Sequence, residues 1–130
     1  MEVEWEYAAR GKVGRRYPWG SSRPTGRHAN FANRIKSPSP VGIYPLGMTP
    51  EGVCDLSGNV WEWCADRHVD DAHEPIRAST EPAIWLARVL RGGAFCVEVS
   101  FLRAAHRIGL PSASGGGFYG FRCVWDATAG

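Results

Sequence analysis

The chain has no apolar run approaching the ~18 residues that a membrane-spanning helix needs, which excludes a helical membrane span. None of its four cysteines stands in a Cys-x-x-Cys or similar ligand spacing, and His28, His68, His73 and His106 are equally dispersed. Zinc ligands usually come in close pairs, so a zinc centre is not expected. Charge of one sign is also lacking. Fifteen Lys and Arg against 13 Asp and Glu leave +2, and no basic run exceeds pairs such as Arg15–Arg16. That balance argues against nucleic acid as a partner. The start, Met1-Glu2-Val3-Glu4-Trp5-Glu6, has neither the basic nor the apolar region of a secretory signal. As it stands the chain reads as cytoplasmic; a missing upstream segment would instead permit secretion or surface display.

Glycine, proline and tryptophan are plentiful: 16 Gly, 9 Pro and 6 Trp in 130 residues. Such punctuation predicts short elements and long ordered loops anchored by large aromatic rings, and excludes a helical bundle. A hydrophobic content of 44% with 22% charged residues is ordinary for a globular protein, so a disordered chain is excluded too. The length suits one domain, residues 1–130, with a real core. Cys54, Cys64, Cys96 and Cys123 allow three pairings, which the sequence does not choose among. Buried free thiols in a reducing compartment are the expectation.

Residues 1–10 predict a short helix, with Glu2, Glu4 and Glu6 near its start, Arg10 at its end, and Val3 and Tyr7 sharing a buried face. From Gly11 to about Pro50 the chain predicts a packed loop region. A turn at Asp55–Asn59 leads into a strand over 60–64, with Trp61 and Trp63 facing the core and Glu62 on the opposite side. Residues 66–83 predict a surface loop. Ala87–Arg91 predicts a strand ending at Gly92-Gly93, and 120–125 the last strand.

Four blocks then carry a resemblance. They are Glu4-Trp5-Glu6-Tyr7-Ala8-Ala9-Arg10-Gly11, Tyr17-Pro18-Trp19-Gly20, Gly58-Asn59-Val60-Trp61-Glu62-Trp63-Cys64, and Arg88-Val89-Leu90-Arg91-Gly92-Gly93-Ala94-Phe95, closing at Gly120-Phe121-Arg122-Cys123-Val124. In this order they resemble the sulfatase-modifying-factor family, whose namesake is the formylglycine-generating enzyme. The resemblance implies an α+β, C-type-lectin-like fold: a small twisted antiparallel sheet, few helices and much ordered loop. It also implies an N-terminal stretch that this sequence lacks, so a second chain completing the fold is one expected partner. In some relatives the cysteine at position 123 pairs with one in that stretch. Alanines stand here where some relatives have a second disulfide, which favours free thiols.

By the same resemblance, Asp55 and Glu62 side chains with the Gly58 and Val60 carbonyls would bind a structural Ca²⁺, a cation that wants six to eight oxygens. The competing reading has Asp55 capping the turn and Glu62 paired with an arginine. A second ion near Asn30-Phe31 is not expected, because the acidic loop completing that site is missing. The family's oxidase uses two cysteines a few residues apart, and two thiolates suit Cu(I). Here Cys96 lies close to the first position, but Cys96-Val97-Glu98-Val99-Ser100-Phe101 offers no second thiol. Copper and catalysis are therefore not expected, with Cys96 a weak candidate nucleophile.

Residues 94–119 hold the sharpest departure. The framework resembles the family's (Arg91, Gly92, Gly93, Arg103, Ala105, Arg107, Pro111, Gly120, Phe121 and Arg122), but relatives are often asparagine-rich between these points. No asparagine follows Asn59 in this chain. In their place stand Cys96, Val97, Ser100, Phe101, His106, Ile108, Gly109, Leu110, Ala113, Gly117, Phe118 and Tyr119, types reachable by changing the adenines of an AAC codon, with Glu98 the single exception in the segment. This pattern resembles a variable region diversified by an adenine-mutating retroelement. It implies a non-catalytic domain in which ten of these, all but Ala113 and Gly117, bind a protein or small-molecule ligand, the altered side chains standing mostly in solvent. Two other readings stay open: apolar core or drift in an inert paralogue, and a truncated formylglycine-generating oxidase.

Overall fold

The computed structural model describes residues 1–69 and 86–125. One helix, α1 (Glu2–Arg10), is followed by loops and a short 3-10 turn (Pro45–Gly47), then β1 (Trp61–Arg67), β2 (Ala87–Arg91), a second 3-10 turn (Val99–Leu102), β3 (Arg107–Pro111) and β4 (Tyr119–Gly120). The sheet order is β3-β2-β1-β4. β1 and β2 pair antiparallel, with Trp63 opposite Leu90, and β2 and β3 likewise, with Leu90 opposite Ile108. β4 runs parallel to β1, with Tyr119 beside Trp61. The sheet is therefore mixed, where an antiparallel one was expected. Five of the six residues expected in the last strand, 121–125, are also outside it: beyond Gly120 the chain leaves the ladder, and Phe121, Val124 and Trp125 are exposed. Arg122 is drawn down to Glu62 instead. β1 runs on to Arg67, into the stretch expected to be a surface loop, most of which lies outside the described residues.

Helix α1 has two i, i+4 pairs on different sides, and the structure buries Trp5 with Ala9. These two pack against Leu56, Cys64, Val89 and Ala104. Val3 and Tyr7, expected to be buried, face outward. The reason is electrostatic as well as apolar. Glu2 and Glu6 must face the sheet to reach Arg91, whose side chain is fully buried. Its guanidinium pairs with Glu6, lies 3.6 Å from Glu2, donates to the Ala105 and His106 carbonyls at 3.1 and 3.2 Å, and sits 5.2 Å over the Trp5 ring.

Alternation along β1 puts Trp61 and Trp63 on one side and Glu62 on the other, as expected. The other side, however, is roofed by α1, so Glu62 is buried there and accepts a 2.7 Å hydrogen bond from Trp5 Nε1. The turn before β1 depends on Gly58. Its φ is +76°, and a Cβ there would lie 2.3 Å from the Asn30 carbonyl oxygen, so no larger residue fits without moving the loop.

Candidate functional site

The sheet face away from α1 is built around Trp61. By strand alternation β1 contributes Trp61 and Trp63, β2 Leu90, and β3 Ile108 and Leu110. The turn at Val99–Leu102 brings in Phe101, whose ring meets Trp61 edge-on at 6.2 Å. His106 lies 5.0 Å from Phe101 and 6.0 Å from Trp61. Tyr119 leans on Trp63 at 5.6 Å, and Phe118 stacks on Phe95 at 5.6 Å. Trp61, Leu90 and Ala94 form the buried floor, and Cys96, Val97, Phe101, Ile108, Leu110 and Tyr119 pack around it, partly exposed.

Six of the ten residues singled out in the sequence thus meet on one surface, and His106 joins them through its ring contacts. Ser100 and Phe118 are the exposed members. The expectation that these side chains stand mostly in solvent needs correction, because the other eight are half-buried. Gly109 does not belong to the surface. It alternates to the helix side, where a Cβ would fall 2.2 Å from the His68 ring. The platform residues Trp61, Trp63 and Leu90 were legible only as core; their share in this face follows from the short strands, which leave the floor uncovered at its edges.

His106 is the titratable group of the face. Burial, followed by the positive charges of Arg103 and Arg91, holds its pKa below the ordinary value. A neutral ring is thus favoured against Phe101 and Trp61, and its Nε2 is buried with no hydrogen-bond partner. Since the folded pKa is the lower one, this group's contribution to stability is present above the unfolded pKa and lost as pH falls through the folded one.

The candidate metal turn immediately precedes β1 and opens beside Glu62, on the other side of the strand from Trp61. A cleft of about 260 Å³ is lined by Asp55, Asn59, Val60, Glu62 and Arg122, among others. Three of the four expected ligands therefore share it. Gly58 does not line it; its N–H donates to the Gly92 carbonyl. Asp55, itself at φ +56°, accepts from the Gly42 N–H at 2.6 Å. Glu62 accepts from Arg122 Nε at 2.6 Å and Nη2 at 2.5 Å, a bidentate pair, and Arg122 Nη2 also donates to the Cys54 carbonyl at 3.0 Å. Burial opposes the charge on Arg122, but Glu62 more than offsets this and raises its pKa. Among the described residues no three His, Cys, Asp or Glu side chains cluster as a metal site.

All four cysteines are free thiols. Cys64 packs beneath α1, where burial pushes its thiol up to about 11. Cys96 belongs to the Trp61 face, on the opposite side of the sheet.

Residues 1–127 match the family described as the Sulfatase-modifying factor enzyme 1-like domain. The chain is 40% identical over 147 residues to the formylglycine-generating enzyme of Streptomyces coelicolor, covering 97% of this chain and 46% of that protein. It is 35% identical over 142 residues to hercynine oxygenase of Mycobacterium tuberculosis, covering 96% and 31%. Among solved structures, Treponema denticola variable protein 1 superposes with a TM-score of 0.71 at 24% identity, over 93% of this chain and 44% of that one. PvdO from Pseudomonas aeruginosa does so with a TM-score of 0.68 at 26% identity, over 93% and 49%. The chain spans less than half the length of each of these proteins. These structural likenesses bear on the fold, which all three chains share.

Proposed function

Given that this chain belongs to the sulfatase-modifying factor enzyme 1-like family, we propose that it is a non-catalytic binding domain, a retroelement-diversified variable protein that takes a protein or small-molecule ligand on the Trp61 face. One observation carries this reading. The residues that depart from the family's polar pattern, Cys96, Val97, Phe101, Ile108, Leu110 and Tyr119, converge on one partly exposed surface. Half-buried aromatic side chains are held at little further entropic cost and make good binding anchors. The fold shared with a variable protein of Treponema denticola is compatible with such use.

The second reading, a formylglycine-generating oxidase, is favoured by the 40% identity to an enzyme of that name. Against it stands Cys96, alone in its segment. A single thiolate neither holds Cu(I) tightly nor cycles through a disulfide. The two readings separate in one assay. Cu(I) should bind no better to this protein than to Cys96→Ser, and a cysteine-containing sulfatase peptide should keep its thiol. An aldehyde product detected by mass would establish the oxidase and end the binding-domain reading.

A structural calcium at the cleft of Asp55, Val60 and Glu62 forms part of the proposal. Two carboxylates with the Val60 carbonyl are oxygen donors of the kind that a hard cation takes, although Gly58 stands outside the cleft. Its competitor is Arg122, which already holds both Glu62 oxygens. Calcium would bind as that guanidinium turns outward, which its one-third exposure permits. Exhaustive chelation should lower the melting temperature by several degrees and re-addition should restore it, by mass action on the native state. An identical melt with and without chelator would leave Arg122 as the cation of this turn.

A further inference from the structure

The net charge of +2, from which nucleic acid was not expected as a partner, conceals a strong asymmetry. Between Glu6 and Glu51 there is no Asp or Glu, while Lys and Arg recur throughout. Two of these cations are spoken for: Arg10 pairs with Glu6 and Arg15 with Glu51. The other six, Lys12, Arg16, Arg23, Arg27, Arg34 and Lys36, are exposed, and none forms an ion pair among the described residues. The acids that balance the chain's charge are spent elsewhere, with Glu2, Glu6 and Glu62 locked to Arg91, Arg107 and Arg122 around α1 and β1.

These cations are held by an ordered scaffold. The Arg16 guanidinium lies 5.7 Å over the Tyr17 ring, Tyr17 stacks on Trp19 at 5.2 Å, and Trp19 stacks on His28 at 4.8 Å. Trp19 Nε1 is fixed by the Ser22 carbonyl, next to Arg23, and His28 by Thr25. Arg34 lies across Gly26, where a Cβ would meet its Nη1 at 2.3 Å, and 5.7 Å over Phe31. Arg16 and Arg34 thus lie over two rings, Tyr17 and Phe31, of one buried cluster on which Trp19 also packs, and Arg23 and Arg27 stand in the loop between them, beside Ser22 and His28. Four of the six cations are arginines, whose planar fork matches phosphate oxygens.

The geometry points to a nucleic-acid-binding surface over residues 12–36 that grips the phosphodiester backbone and does not read bases. Trp19 is already stacked with Tyr17 and with His28, so the surface is expected to draw its affinity from charge and not from base stacking. The carboxylate nearest the series in the ion-pair network, Glu51, is engaged by Arg15, which leaves the four guanidinia free for a regularly charged polymer. The surface borders the Trp61 face, since Val97 packs against both the Tyr17–Phe31 cluster and the Trp61 floor, but none of the six cations belongs to that face.

Fluorescence anisotropy with a labelled single-stranded DNA of about 20 nucleotides at about 50 mM salt tests it, because phosphate contacts give a steep salt dependence. Binding should weaken about tenfold or more in Arg23→Glu/Arg27→Glu, with a log–log salt slope shallower by one to two. Arg67→Glu, a reversal outside residues 12–36, should leave affinity within about twofold. Circular dichroism of each variant establishes that the loop reversals leave the fold intact. No binding by the parent protein, or equal binding by the double reversal, overturns the proposal. Tighter binding of polyglutamate than of DNA overturns it as well and reassigns the surface to an acidic polypeptide.

Discussion

Arg91→Ala is expected to cost about 3–5 kcal/mol, a large share of a small domain's stability, because a fully buried side chain and the hydrogen bonds that it donates are lost together. The Arg91 side chain is fully buried and joins α1 to β2 and to the loop before β3. Its removal leaves the Glu6 carboxylate without its sheet-side partner and strips two carbonyls, of Ala105 and His106, of their donor. It also empties the space over the Trp5 ring. Glu6 keeps Arg10 and is one-third exposed, so the cost comes mostly from the cavity and the carbonyls. Arg91→Lys should recover part of the loss through its charge, but not the fork that reaches both carbonyls. Urea denaturation followed by circular dichroism measures both; an Arg91→Ala loss under about 1 kcal/mol would contradict this account of how the helix is docked.

Returning Val97, Phe101, Ile108, Leu110, Phe118 and Tyr119 together to Asn should also be costly, more so than the sequence suggests. If these side chains stood in solvent, each change would cost under about 0.5 kcal/mol. They are mostly half-buried against Trp61, Leu90 and Ala94. Half the transfer free energy of a fully buried apolar side chain is about 0.8–1.5 kcal/mol, so the set should lose several kcal/mol. The sum will not be strictly additive, since Phe118 touches Tyr119 and several of the others share one floor. Ile108, opposite buried Leu90, should cost most, and exposed Phe118 least. Any ligand of this face should be lost in the set and weakened in the singles. Single losses above about 3 kcal/mol would make these residues ordinary core and remove the case for a display surface.

How far the sequence discloses this arrangement depends on whether a feature is local. The helix over 1–10 is legible because its acids and Arg10 fall at the right ends. Which of its sides is buried is not, because Val3/Tyr7 and Trp5/Ala9 have the same spacing; the choice is made by Arg91, 85 residues from Glu6. The Trp61/Trp63 alternation is local and correct, whereas the burial of Glu62 depends on α1 and on Arg122, 60 residues away. Phe121–Trp125 alternates like a strand, but the parallel pairing beside β1 ends at Gly120. The grouping of the altered residues was legible from composition and family pattern together. The exclusion of Gly109 was not, since it depends on the register of β3 against β2.

The measurement that bears most directly on the central reading is DNA sequence, of this gene and its flanks in many isolates of its source. The account predicts a near-copy of codons 91–124 close by, with adenines at the codons of Cys96, Val97, Phe101, Ile108, Leu110 and Tyr119, and a reverse transcriptase gene beside it. It also predicts variation among isolates confined to those codons and their neighbours on the Trp61 face, with Arg91, Gly92, Gly93 and Arg122 invariant. Absence of any such copy, with substitutions spread evenly along the chain, would contradict it.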